Sequence, residues 1–220
     1  MIDVLLATGF GMFSIEELIP KFNAVYGGRT FGPTPLSFAL PAIVNPIACD
    51  VLLYGLSHPN VDLSLNVFRD LGQKNVMVVS SSSDRIHYID ELSTVATNWL
   101  GRVENGDIGK VKEFSPTDIT SRPVSKPDEL KSGASIIENV QLAALILQGK
   151  MRGSLEDTIA LNAACILVMA EKASNLKEGF NLAIDAIRSG AGFKKLEQFI
   201  DATGGSRQAL STITTTGGAT

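Results

Sequence analysis

Residues 154–173, SLEDTIALNAACILVMAEKA, place apolar side chains on nearly every face of a helix. Such a helix has no side to give to water, so the rest of the chain must enclose it. The stretches before it predict the enclosure. DVLLYGL (50–56) is a short apolar run suited to a buried strand. NVDLSLNVFRDLG (60–72) reads as a helix, with Asn60 or Asp62 available as its cap and Gly72 past its end. NVMVVS (75–80) is the next strand, and a strand–helix–strand unit of this length is of the parallel kind. In WLGRVENGDIGKVKEF (99–114), Asn105-Gly106 between two mixed segments predicts a hairpin. The predicted fold class is therefore α/β: a partly parallel sheet with a β-hairpin extension, covered by helices that include a buried one over 155–171.

A polar, proline-containing connection, SPTDITSRPVSKPDELKSG (115–133), leads into a segment predicted to be helical to about 202. Its first helix, ASIIENVQLAALILQGK, ends near Gly149. Ser154 and Asp157 stand at capping-box spacing, as do Asn175 and Glu178, and NLKEGFNLAIDAIRSG stops at Gly190. FKKLEQFI is the final short helix. One domain over 1–203 and a mobile polar tail over 204–220 follow from this reading. Residues 1–50 are less patterned. Gly9-Phe10-Gly11 is a lone GxG, Ser14 and Glu17 have capping-box spacing, and Pro33, Pro35, Pro41 and Pro46 make 30–48 a loop-dominated passage.

Composition excludes several classes. Hydrophobic residues make up 45% and charged residues 19%, which is globular and not disordered. The net charge of −4 gives no basic footprint, so neither nucleic acid nor an acidic membrane is expected as a partner. The 2 cysteines lack a CxxC neighbour and there are only 2 histidines, which argues against zinc. Cys165, inside AACILVMA, reads as a core residue. No run reaches the ~18–20 apolar residues of a membrane span, and MIDVLLATGF lacks a basic flank. The chain reads as cytoplasmic.

The chemistry-bearing stretch is VVSSSSDRIHYIDELS (78–93), where a serine-rich loop leads to the adjacent acids Asp90 and Glu91. Residue types leave two readings open. The acids could cap the next segment, or they could form the wall of a phosphate or metal site. Glu138-Asn139 reads as an exposed helix start, Asn162 as a buried polar group satisfied in helix packing, His58 and His87 as loop residues, and Tyr54 and Trp99 as packing residues.

The order of motifs resembles one family. ALPAIVNP (39–46), YGLSHPNVDLSLNVFRDLG, NVMVVSSSSDRIHYIDELS and the helical region from GASIIENVQLAAL through LNAAC to AIRSG are similar to segments of anthranilate phosphoribosyltransferases. The likeness runs over roughly 8–203. It implies a phosphoribosyltransferase-type α/β domain shared with nucleoside phosphorylases, truncated here. It also implies phosphoribosyl pyrophosphate and anthranilate as substrates, in tryptophan biosynthesis. Asp90 and Glu91 match the family's adjacent Asp-Glu, which holds Mg²⁺ beside the pyrophosphate. Ser80 and Ser81 stand where the family has His-Gly.

The family's Gly-Thr-Gly-Gly-Asp loop, Asn-Ile-Ser-Thr helix start, Lys-His-Gly-Asn segment and N-terminal helical subdomain have no counterpart in these residues. An ungapped extension places Gly28 at the family's anthranilate-contacting arginine, and Arg29 serves only if the register slips by one. The resemblance therefore implies an enzyme relative whose chain alone transfers little to anthranilate, and a homo-oligomer or a partner chain. A non-catalytic homologue acting as a binding or assembly module is the alternative, and a nucleoside phosphorylase relative, which needs a glycine-rich phosphate loop, is another.

Overall fold

The computed structural model describes residues 51–202 and 204–216. Gly9-Phe10-Gly11, the Ser14/Glu17 pair, the proline passage and Arg29 lie outside the described residues. The described chain opens with the expected unit: strand β1 (Leu52–Gly55), helix α1 (Val61–Asp70) and strand β2 (Asn75–Ser82), with β1 and β2 parallel. Asn60 holds the cap position of α1 but its side chain makes no cap bond. Its amide instead donates to His58 Nδ1 at 3.2 Å.

β2 runs antiparallel to β3 (Thr97–Glu104). Asn105 (φ 54) and Gly106 (φ 91) then form the expected two-residue hairpin turn into β4 (Asp107–Ile108). β5 (Lys112–Phe114) returns to the same edge of β3. β4 pairs Val103 with Ile108, whereas β5 pairs Leu100 with Lys112, a register offset of one residue. That offset is a β-bulge, and it lets one strand pair continue past Gly109. The sheet is thus 5-stranded and partly parallel.

Both faces of the sheet are covered, which explains why β2 reads as a continuous apolar run before its serines. Val76, Val78, Val103 and Leu52 pack with Val61, Leu65 and Phe68 of α1. Met77, Val79 and Leu100 face the opposite way, against Leu161, Ala164 and Cys165 of α4 (Ser154–Met169) and Phe180 and Ile184 of α5 (Leu176–Arg188). α4 is the enclosed helix. Its enclosure is uneven, however: Leu161 and Cys165 are fully buried, while Ile166 and Leu167 are half-buried against the core rim. Before α4 come the short helix α2 (Thr117–Thr120), a single 3₁₀ turn at Pro127–Leu130, and α3 (Ile136–Leu147).

The caps distinguish local pattern from local structure. Ser135 Oγ caps α3 by accepting from the Glu138 amide, and Asn175 Oδ1 caps α5 in the same way at 3.0 Å. Glu138 is the exposed helix-start acid expected, since its carboxylate accepts from the Ala134 amide at 2.6 Å. The Ser154/Asp157 box does not form. Gly153 occupies the cap position of α4, the Ser154 hydroxyl donates to Glu129, and Asp157 is drawn to Arg122.

The chain does not end at the short helix expected. α6 spans Ala191–Ala202, and part of the segment predicted as a mobile tail is a further helix, α7 (Arg207–Thr216). Its polar composition conceals a sparse apolar stripe. Leu210 is buried with Val140 of α3 and Leu196, Phe199 and Ile200 of α6, and Ile213 packs beside them. Gln141 Nε2 also donates to the Ile213 carbonyl at 3.0 Å, fastening α7 to α3.

Candidate metal site

Of the serines read as a loop, Ser81 and Ser82 belong to β2, which extends the expected strand beyond Ser80. Ser80, Ser81 and Ser82 are buried and strand-paired, and two of their hydroxyls bind neighbouring loops. Ser80 Oγ donates to the His58 carbonyl at 3.2 Å, and Ser82 Oγ donates to the His87 carbonyl at 2.7 Å. These hydrogen bonds satisfy polar groups that hydrophobicity alone would send to the surface.

The chain then turns sharply. Asp84 Oδ1 accepts from the amides of Ile86 and His87, both at 2.8 Å, and Arg85 takes a positive φ of 59°. His87 Nδ1 lies 2.7 Å from Asp84 Oδ2, and this contact, with the two amides, holds the Asp84 carboxyl well below the usual range. The isolated acid builds the turn. The turn brings Ile89 back to Ser81 in a pair of backbone hydrogen bonds of 3.0 and 2.8 Å, and Asp90 and Glu91 follow.

The acid pair is fixed on both sides. Gly55 ends β1 with its backbone pressed on Asp90, so closely that a Cβ there would lie 1.6 Å from the Asp90 carbonyl oxygen. On the other side Leu92 is fully buried, and Asn162 of α4 holds both of its peptide groups. Asn162 Oδ1 accepts from the Leu92 amide at 2.9 Å, and Nδ2 donates to the Leu92 carbonyl at 2.7 Å. Buried Asn98 does the same for Ser93, accepting from its amide at 2.7 Å and donating to its carbonyl at 3.0 Å. The pair therefore stands at the carboxyl ends of the two parallel strands, the end of such a sheet where ligands bind.

This geometry decides between the two sequence readings in one respect. No helix follows Asp90 and Glu91; the chain passes through 93–96 directly into β3, so the acids cap nothing. Both residues are exposed. Packing around its carboxyl, and then the adjacent Asp90 charge, raise Glu91 above its ordinary value. A carboxylate whose ionisation is disfavoured by its packing and by a neighbouring charge is relieved by a cation. Their hard oxygen donors suit Mg²⁺, with the rest of the shell left to water and phosphate. Among the described residues no cluster of three or more His, Cys, Asp or Glu could hold a metal without such help.

Each residue read as a packing or loop group has neighbours that account for it. Asn162 is satisfied within packing, Tyr54 stacks edge-on against Phe68, and Trp99 packs under Arg85 while its Nε1 donates to Glu113 at 3.0 Å. His87 serves Asp84 and His58 serves Asn60. Gly55 and Asn162 were not read as site residues. Their signals are contacts across 35 and 70 residues of chain, invisible to local pattern.

A second acidic pair, Glu156-Asp157, is structural. The Glu156 side chain is wholly buried between Arg152 (2.7 Å) and Arg188 (3.0 Å). Burial pushes its carboxyl up, but the two guanidinium groups overcome this and hold it below the usual range. Asp157 has only Arg122 at 2.8 Å and a buried Oδ1 without a hydrogen-bond partner among the described residues. There burial prevails and raises it.

The chain matches the model of the glycosyl transferase family, a/b domain, over residues 12–193. It is 33% identical over 182 residues to an anthranilate phosphoribosyltransferase of Petrotoga mobilis, covering 82% of this chain and 51% of that protein. An anthranilate phosphoribosyltransferase of Dechloromonas aromatica is 30% identical over 198 residues, covering 89% of this chain and 56% of that protein. The crystal structure of anthranilate phosphoribosyltransferase from Thermus thermophilus superposes with a TM-score of 0.61 at 25% identity, over 78% of this chain and 49% of that one. The Saccharomyces cerevisiae enzyme in complex with PRPP and Mg shares the fold at a TM-score of 0.62 and 18% identity, over 79% and 47% of the two chains. The chain spans about half the length of the curated relatives it matches. Among the described residues, no helix is long and apolar enough to cross a membrane.

Proposed function

The chain belongs to the glycosyl transferase family defined by this a/b domain, and on that premise we propose that Asp90 and Glu91 hold Mg²⁺ for the diphosphate of phosphoribosyl pyrophosphate. The reaction proposed is phosphoribosyl transfer to anthranilate: the bond from C1 to the diphosphate breaks, the anthranilate amine takes C1, and it loses a proton. The observation that carries this is the fixing of an exposed acid pair at the carboxyl ends of β1 and β2, in a chain similar to anthranilate phosphoribosyltransferases. Mg²⁺, when bound there, would neutralise charge on the departing diphosphate. The chain's own residues hold and orient: Asp90 and Glu91 present oxygens, Gly55 admits the loop, and Asn162 and Asn98 hold the peptides behind it.

Two carboxylates leave most of an octahedral shell unfilled, so Mg²⁺ binding should depend on the diphosphate. Isothermal titration of the 220-residue chain with Mg²⁺, with and without phosphoribosyl pyrophosphate, tests the proposal. Binding is expected only with the diphosphate, and Asp90→Asn should remove it without lowering thermal stability. Equal binding by Asp90→Asn, or none by the wild-type chain, overturns it. An anthranilate-transfer assay on the same samples reports how much of the reaction the chain performs alone.

A further inference from the structure

We infer that Asn162 is the positioning residue of the acid pair, setting where Asp90 and Glu91 stand through the Leu92 peptide; the metal role of the pair rests on the reading above. Three of the four hydrogen-bonding positions of the amide are filled, both donors among them. Oδ1 accepts from the Leu92 amide at 2.9 Å, and the two protons of Nδ2 go to the Leu92 carbonyl at 2.7 Å and the Thr158 carbonyl at 3.0 Å. Two carbonyls and one N–H around a single amide leave it only one orientation. Leu92 lies outside any strand, so its backbone groups have no ladder to join and Asn162 supplies the partners a strand would have. The buried Leu92 side chain joins the same core cluster as Leu161 and Cys165, neighbours of Asn162 on α4. Glu91, one residue away, therefore inherits its place from a helix 70 residues further along the chain.

The alternative is a residue that merely adds stability, and the test separates the two. Asn162→Ala and Asn162→Asp are compared with Leu161→Val, a core change on the same helix that leaves the amide in place. Aspartate keeps the acceptor and loses both donors, so it should do no better than alanine near neutral pH. Amide hydrogen exchange should rise at least tenfold at Leu92 and its flanking residues in both Asn162 variants, with β2 from Val76 to Val79 unchanged. Leu161→Val should leave the Leu92 exchange pattern as it was. In titrations with Mg²⁺ and phosphoribosyl pyrophosphate, the Asn162 variants should bind about tenfold more weakly than Leu161→Val of similar melting temperature. Unchanged protection at Leu92, or Mg²⁺ affinity that follows melting temperature alone, overturns the inference. A wild-type chain that binds no Mg²⁺ would overturn the metal reading instead, while the exchange comparison still decides whether Asn162 holds the loop.

Discussion

Arg188 meets Glu156 with two parallel hydrogen bonds, Nε to Oε1 at 3.0 Å and Nη2 to Oε2 at 3.1 Å, and so joins α5 to the first turn of α4. The carboxylate has no exposed surface, so without its partner it would be a poorly compensated buried charge. Arg188→Ala should destabilise by roughly 3 kcal/mol, less whatever Arg152 retains. Replacing Arg152, which is half exposed, should have the smaller effect. Urea denaturation of both variants checks the order.

The same carboxylate sets an acid limit. Its folded value lies below the ordinary 4.5, so its contribution is present above that value and is lost as pH falls through the depressed folded value. Glu156→Gln should therefore be less stable than wild type at neutral pH, with the gap closing as pH drops below about 4.5. Melting temperatures at a series of pH values would show it. Asp157, shifted upward, works in the opposite direction: its ionisation on the way to neutral pH weakens the fold, and this partly masks the Glu156 effect.

Metal binding should carry its own pH signature. Glu91 is raised, so it takes up a proton at a higher pH than an ordinary glutamate, and in the proposed metal role it would cease to be a ligand there. Diphosphate-dependent Mg²⁺ binding should weaken on acidification, with a midpoint above the ordinary 4.5 for glutamate. Glu91→Gln should remove that step. Titration at several pH values, with magnesium-free controls for the diphosphate's own protonation, measures it.

Gly55→Ala should damage the fold and the site together. The added carbon would fall 1.6 Å from the Asp90 carbonyl oxygen, a backbone atom that cannot swing aside. Overpacking of this kind costs about 1–3 kcal/mol, and Mg²⁺ binding should be lost along with it. Gly109→Ala is the matched control, since its nearest neighbour would be the Arg102 carbonyl oxygen at 3.5 Å. Thermal melts and metal titrations of both variants make the comparison.

Leu161→Ala and Leu210→Ala should each lose roughly 2–5 kcal/mol, because both side chains are fully or almost fully buried. Ile166→Ala should lose less, its side chain being half-buried. The Leu210 result matters most, because an unstructured tail would give no loss at all. Denaturant midpoints of the three variants decide.

Where sequence reading succeeded, the signal was local. Asn105-Gly106 carries its own turn chemistry, and the helix over 61–70 carries its own period. It failed where distant groups alter the meaning of a residue. Ser82 looked like loop because its hydrogen-bond partner, the carbonyl of His87, comes from the turn that follows. Ser154 and Asp157 had capping spacing, but Glu129 and Arg122 claimed their side chains. Residues 207–216 looked too polar to pack, because one buried leucine and a flanking isoleucine are enough when α3 and α6 supply the rest of the cluster.

The pressing of Gly55 on Asp90 bears on how this site could be moved or rebuilt. A loop spanning 82–96, copied into another protein, would bring the carboxylates but neither the bare backbone they rest on nor the amide that holds the next peptide. Transplanting the acids demands a host strand that ends in glycine at the right depth and a helix that offers an asparagine facing it. The smallest portable unit is therefore three separate pieces of chain, and a designer who took the loop alone would inherit two free acids.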